Sequence, residues 1–193
     1  MASFETKSNK LDIDIGHINE ANIEQLKVIN INTLPVRYSP KFYKDLLAPE
    51  GTTEHTYDPK YMRFGHYNGF AIGAVAARLE KEEGEGLEGK FKLYIMIMNV
   101  LAAYRRRGVA STLLGHIIKE ASKDERVTEL LLHVQTSNVE AKEFYVANGF
   151  EEVGIVEDYY KRIEPTSAFL LKRRNEFTPR ERGTEEESTA CST

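Results

Sequence analysis

One cysteine occurs in 193 residues, and it is Cys191, among the last three positions. A disulfide within the chain is excluded, and a cysteine nucleophile in the core is not expected. No stretch approaches the roughly 18 consecutive apolar residues that a bilayer span needs. The opening MASFETKSNK lacks the apolar centre of a signal peptide, so an intracellular, soluble chain is expected. Basic charge is not in excess: 26 Lys and Arg stand against 30 Asp and Glu, a formal net charge of −4. That balance gives no general reason to expect direct contact with nucleic acid or a membrane surface. Internal repeats are also missing.

What is present suits one domain. Hydrophobic residues make up 41% and charged residues 29% of the chain, which is ordinary for a globular protein with a substantial core. Leu11, Ile13 and Ile15 alternate with Asp12 and Asp14, the period of a half-buried strand. Ile23, Leu26, Ile29 and Ile31 predict a helix ending before Leu34-Pro35. Ser39-Pro40 offers an N-cap followed by proline at the first helical position, opening a short helix through Leu47. Residues 48–60 read as a loop. Asn68-Gly69 predicts a tight hairpin between strands at 61–67 and 70–79. Residues 80–90 read as an acidic loop, and Phe91–Leu101 as a buried central strand. Val109, Leu113, Leu114, Ile117 and Ile118 have helical spacing; 129–135 is a further strand. Ser137-x-x-Glu140 can form a capping box for a helix with Ala141, Phe144 and Tyr145 inward and Gly149 at its end. Strands at 150–156 and 169–171 follow. The expected organisation is a flexible N-terminus over 1–9, a domain over 10–174 and a disordered polar tail over 175–193.

Tyr104-Arg105-Arg106-Arg107-Gly108-Val109-Ala110 falls between the central strand and the next helix. A strand-to-helix turn presents unpaired N–H groups and the positive end of the helix dipole. Gly108 lets the backbone approach a ligand, Ala110 is small, and three guanidiniums suit a polyphosphate. No Lys-Ser/Thr pair follows, as a nucleotide P-loop would require, and the further glycines of a dinucleotide fingerprint are missing. The spacing Arg105-x-x-Gly108-x-Ala110 resembles the pyrophosphate-binding signature of the GCN5-related N-acetyltransferases. Five further strings occur in order: Leu34-Pro35-Val36-Arg37-Tyr38, Leu93-Tyr94-Ile95-Met96, Leu132-His133-Val134-Gln135, Asn138-x-x-Ala141-x-x-Phe144-Tyr145 and Tyr159-Tyr160-x-x-Ile163-Glu164-Pro165. Together they resemble the San, or separation-anxiety, family, the catalytic subunits of N-terminal acetyltransferase E, over about residues 11–172.

The resemblance implies the α/β acetyltransferase fold, a mixed β-sheet with helices on both faces and a splay between two central strands. It implies acetyl-coenzyme A as co-substrate and no metal. Arg105, Arg106, Arg107, Gly108, Val109, Ala110 and Ser111 would hold its pyrophosphate, and the backbone at Met98 and Val100 the acetyl and pantetheine groups. Asn138, which would also serve as a helix-start residue, Ala141 and Tyr145 would line the same ligand, with the catalytic Tyr145 hydroxyl near the sulfur to hydrogen-bond or protonate the departing thiolate. His133 and Tyr94 would act through water as general base; from the residues alone, each reads equally as a packed core side chain. Leu34, Pro35, Val36, Tyr38, Met96, Tyr159, Tyr160 and Ile163 would form a pocket for an N-terminal Met followed by a hydrophobic residue. Leu34, Ile97, Asn99, Ala103 and the 48–60 loop depart from the family pattern.

Three functions fit this reading. The first is Nα-acetylation of protein N-termini by direct transfer in a ternary complex. The second is lysine ε-acetylation, which is disfavoured because Phe91–Leu101 contains no glutamate and lysine has a pKa near 10.4. The third is a largely non-catalytic docking subunit. The family also implies a large auxiliary subunit of the ribosomal N-terminal acetyltransferase complex as partner. It implies a cytoplasmic, ribosome-associated location with a nuclear pool.

Overall fold

A computed structural model describes residues 10–49, 51–53 and 55–177. The expected flexible N-terminus, Cys191 and the segment from 178 onward lie outside the described residues. The strands are β1 (Asp14–His17), β2 (Met62–Tyr67), β3 (Phe70–Lys81), β4 (Phe91–Val100), β5 (Val127–Gln135), β6 (Glu151–Val156) and β7 (Ala168–Arg174). The helices are α1 (Ile23–Thr33), α2 (Pro40–Asp45), α3 (Val109–Ala121) and α4 (Val139–Ala147). The strands form one sheet in the order β1-β2-β3-β4-β5-β7-β6, antiparallel throughout except for β4 against β5.

Local chemistry places most of these elements. Asn68 and Gly69 have φ of 50° and 80°, the paired left-handed conformation that closes a two-residue hairpin. The Ser39 hydroxyl accepts from the Phe42 N–H at 3.3 Å and Pro40 opens α2. α3 buries Val109, Leu113, Leu114, Ile117 and Ala121 against Val75, Ala77, Leu93 and Ile95. Burying each large member contributes about 1.5–3 kcal/mol. Tyr145 of α4 joins this layer, while Leu26 and Ile29 of α1 and Tyr43 of α2 pack with Phe64, Ala74, Ala76 and Ile97 in a second one. The two layers lie on opposite faces of the sheet.

The sheet is broken where the site will be. β4 pairs with β5 only over Phe91–Tyr94 against Val127–Leu131. Beyond that point β4 stays with β3 as far as Val100 opposite Gly73, whereas β5 follows β7 as far as Gln135 opposite Ala168. A bulge marks the parting: Ile95 faces Ala77 and Ile97 faces Ala76, leaving Met96 as the extra residue.

Several expectations need correction. Ile31 is 54% exposed, and Asn30 turns inward in its place because Asn99 and Tyr43 satisfy its amide. The Ser137–Glu140 capping box does not form: Asn138, the other expected helix-start residue, caps α4 with its Oδ1 accepting from Ala141 N at 3.2 Å, and Glu140 reaches out to Arg106. β3, β5 and β7 run longer than expected because their ends stay in register with neighbouring strands: Glu80 and Lys81 face Lys92 and Phe91, Val127 faces Phe91, and Lys172 pairs with Glu129 of β5 at 3.0 Å. Asn175, assigned to the tail, is buried and donates to the Ala121 and Val127 carbonyls at 2.9 Å, so it closes the domain.

Candidate active site

The Arg105–Ala110 turn lies just after the free end of β4. Arg105 Nε donates to the Val100 carbonyl at 3.1 Å, tying the turn to the strand, and Arg106 takes φ 61°. Gly108, with φ 84°, caps α3, and the helix closes with Thr112 N on the Gly108 carbonyl at 3.0 Å. The N–H groups of Val109, Ala110 and Ser111 have no intrahelical acceptor, which suits an anion. The Val109 side chain is buried in the core, so only its backbone is available to a ligand.

Two details alter the sequence reading of this turn. A side chain at Gly108 would first meet Lys10, with Cγ 2.8 Å from the Cβ position; Lys10 therefore lies over the turn, and Leu11 N donates to the Arg107 carbonyl. Of the three arginines, Arg105 is held by Val100 and Arg106 by Glu140 at 3.1 Å, although this last pair is exposed and weak.

Across the splay, Tyr94 on β4 and His133 on β5 meet directly: Tyr94 Oη lies 3.1 Å from His133 Nδ1. Tyr159, in the β6–β7 connection, bonds its hydroxyl to that of Tyr94 at 2.5 Å and stacks on the imidazole, centroids 4.1 Å apart and planes 14° from parallel. Its loop is held by Gln135 Nε2 on the Pro165 carbonyl at 2.9 Å and by Tyr160 N on the Thr166 carbonyl at 2.8 Å. From the opposite rim, Tyr38 donates to the carbonyl of the bulged Met96 at 2.9 Å. Burial, then the nearby Tyr159 and Tyr160, push the Tyr38 phenol up.

The protonation states follow from burial. Desolvation holds His133 below the usual imidazole value, only partly offset by the Glu80 carboxylate, so the ring is neutral at pH 7. Desolvation and the adjacent Tyr159 push the Tyr94 phenol far up, so it acts as a hydroxyl and not as a phenolate. Tyr145 is buried, edge-on to Phe150 at 5.5 Å, and is raised by burial and by Tyr160; Tyr160 itself is pushed up to about 12.

Other expected residues are placed less directly. Pro35 is exposed, and Leu34 and Ile163 are half-buried. Val36 lines a cavity of about 200 Å³ with Lys27, Asn30, Tyr38, Pro40 and Tyr43. Met98 is half-buried, Val100 is buried, and both lie on the part of β4 that has left β5; Asn138 and Ala141 form the first turn of α4. Sequence reasoning missed Arg78, whose guanidinium sits 5.0 Å from the Tyr94 ring centre and is gripped by Glu80 at 2.6–2.9 Å. The alternation of β3 carried that signal, because Ala74, Ala76 and Arg78 share a face.

Comparison with known proteins identifies the family. Residues 25–150 match the model of the acetyltransferase (GNAT) family. The chain is 37% identical over 161 residues to the probable N-acetyltransferase san of Drosophila melanogaster, covering 83% of this chain and 80% of the relative. It is 36% identical to N-alpha-acetyltransferase 50 of Danio rerio, covering 83% and 88%. The structure is similar to Arabidopsis thaliana Naa50 in complex with the bisubstrate analogue CoA-Ac-MVNAL, with a TM-score of 0.73, 35% identity and coverage of 84% of this chain and 99% of that one. With its split sheet and the Arg105–Ala110 turn at the start of α3, this chain belongs to the GNAT acetyltransferase family.

Proposed function

We propose that the protein is an Nα-acetyltransferase that moves acetyl from acetyl-coenzyme A to protein N-termini and prefers Met followed by a hydrophobic residue. The observation that carries this reading is the Tyr94–His133 contact at the parting of β4 and β5, with the α3 turn at the far end of the same splay. Acetyl-coenzyme A, when bound, supplies the thioester. The N–H groups of Val109, Ala110 and Ser111 would hold its pyrophosphate. The N–H groups of β4 beyond Tyr94, unpaired with β5, would orient the pantetheine and the thioester carbonyl. A peptide α-amine has a pKa near 7.7–8.0, so much of it arrives protonated. Neutral His133 supplies the basic site for that proton, reached through the Tyr94 oxygen or a water beside it.

The peptide would enter between the α1–α2 connection, with Leu34–Tyr38, and the β6–β7 connection, with Tyr159, Tyr160 and Ile163. The solved Arabidopsis relative carries an analogue whose peptide part begins Met-Val. A Met-Leu N-terminus would gain about 1.5–3 kcal/mol for each side chain buried there, whereas an acidic second residue would lose that gain and also desolvate its carboxylate. Competition at equal peptide concentration tests this. Met-Leu peptides should exceed Met-Glu and Ser-Glu peptides at least about tenfold in kcat/KM, a gap of about 1.4 kcal/mol. They should also exceed a peptide with a blocked α-amine and an internal lysine. Preference for the acidic peptides or for the lysine would overturn the assignment. Docking to a large auxiliary subunit and a cytoplasmic, ribosome-associated location with a nuclear pool belong to this proposal through the sequence resemblance to the San family alone.

A further inference from the structure

Tyr94 has one hydroxyl proton and two partners. Its oxygen touches His133 Nδ1 at 3.1 Å and the Tyr159 hydroxyl at 2.5 Å. If Nδ1 is the basic nitrogen, the Tyr94 proton is committed to it, and Tyr159 must be the donor to Tyr94. Tyr159 can play that part because its ring is fixed flat against the imidazole and its loop is pinned through Gln135 and Thr166. The chain of bonds then runs Tyr159 O–H to Tyr94 O, and Tyr94 O–H to His133 Nδ1. One lone pair of the Tyr94 oxygen remains open, and the imidazole proton resides on Nε2.

We propose that Tyr159 is a positioning residue for proton removal, aiming the Tyr94 hydroxyl at His133 Nδ1 so that its remaining lone pair receives the proton of the incoming amine. This rests on transfer occurring at Tyr94 and His133. As the amine proton joins the Tyr94 oxygen, the Tyr94 proton passes to Nδ1; the products are a neutral amine, an unchanged tyrosine and an imidazolium. Tyr159 gains and loses no proton in the step. Its sequence-level role, lining the peptide pocket, predicts an effect on peptide KM instead.

A double-mutant cycle separates the two roles. Tyr159→Phe keeps the stacked ring and removes the donor. Expected is a loss of about tenfold in kcat with KM changed less than twofold, shrinking to less than twofold in kcat when Tyr94 is already Phe. An equal loss in both backgrounds, or a loss confined to KM, overturns the proposal. Imidazole ¹⁵N shifts of His133 give a reading that needs no turnover. The wild-type protein should hold the Nε2–H tautomer, and Tyr159→Phe should weaken that bias. An Nδ1–H tautomer in the wild type, or no change in the variant, overturns it as well. If Tyr94→Phe and His133→Ala both retain the wild-type rate, it is the assignment of the active site that fails.

Discussion

Replacing Asn99 by Ala should expose how the two halves of the site are joined. Asn99 is 5% and Asn30 1% exposed, so neither amide has water to fall back on. Asn99 Oδ1 accepts from the Ala74 N–H at 3.0 Å, and its Nδ2 donates to Asn30 Oδ1 at 2.6 Å. Asn30 Nδ2 in turn donates to the Tyr43 hydroxyl at 3.1 Å. Truncation leaves one buried N–H and one buried carbonyl oxygen unpaired, each at about 1–3 kcal/mol. A water entering the vacated volume would recover part of this, so the expected loss is about 2–4 kcal/mol. In a domain of this size each kcal/mol lowers Tm by about 2–4 °C, which gives a fall of roughly 5–15 °C. Urea unfolding should show a lower midpoint with an unchanged slope. Because the network ties α1 to β4 ahead of the Leu34–Tyr38 connection, peptide KM should rise while the Kd for acetyl-coenzyme A stays put. Asn30→Ala breaks the same bond, so the double variant should lose less than the sum of the singles. A loss under about 0.5 kcal/mol, or strict additivity, would refute the network.

Four further outcomes follow from the geometry. Gly108→Glu should nearly abolish acetyl-coenzyme A binding by calorimetry, because φ of 84° suits glycine, the new side chain would collide with Lys10 over the turn, and its negative charge would sit beside the N–H groups offered to the phosphates; unchanged affinity in a folded variant would remove the turn from the binding site. His133→Ala should lower kcat by roughly 10²–10⁴-fold with little change in coenzyme affinity. The lowered His133 pKa keeps the base neutral above that value and protonates it below, so the acid limb of the wild-type pH–rate profile should fall below the usual imidazole value of about 6.5; a limb above 6.5 would contradict the burial argument. Asp124→Asn should cost about 2–3 kcal/mol at pH 7, less than a fully buried pair because Arg126 is 42% exposed. Arg126, and after it Lys60, depress the Asp124 pKa, so its stabilisation is present above the unfolded value near 3.9 and lost as pH falls through the folded one. Chemical unfolding should therefore show wild type and variant converging below about pH 4.

The sequence by itself determined what depends on neighbours along the chain. Asn68-Gly69 fixed a hairpin because both residues tolerate positive φ, and Ser39-Pro40 fixed the start of α2 because the cap and the proline act within one turn. The Arg105–Ala110 motif was legible for the same reason: its unpaired N–H groups belong to one strand-to-helix turn. Tyr94 and His133 were legible as candidates only through family resemblance, since each is also an ordinary occupant of a buried strand. Tertiary structure alone decided what joins them. Tyr94 and His133 are 39 residues apart, Tyr94 and Tyr159 65, and Asn30 and Asn99 69, and each pair meets because of strand register, the bulge at Met96 or a pinned loop. A one-residue slip of β4 would turn Tyr94 to the opposite face and dissolve the site without changing a letter of the sequence. The inward Asn30 was hidden for that same reason: a polar residue in an apolar pattern is understood only when its partner on another element is known.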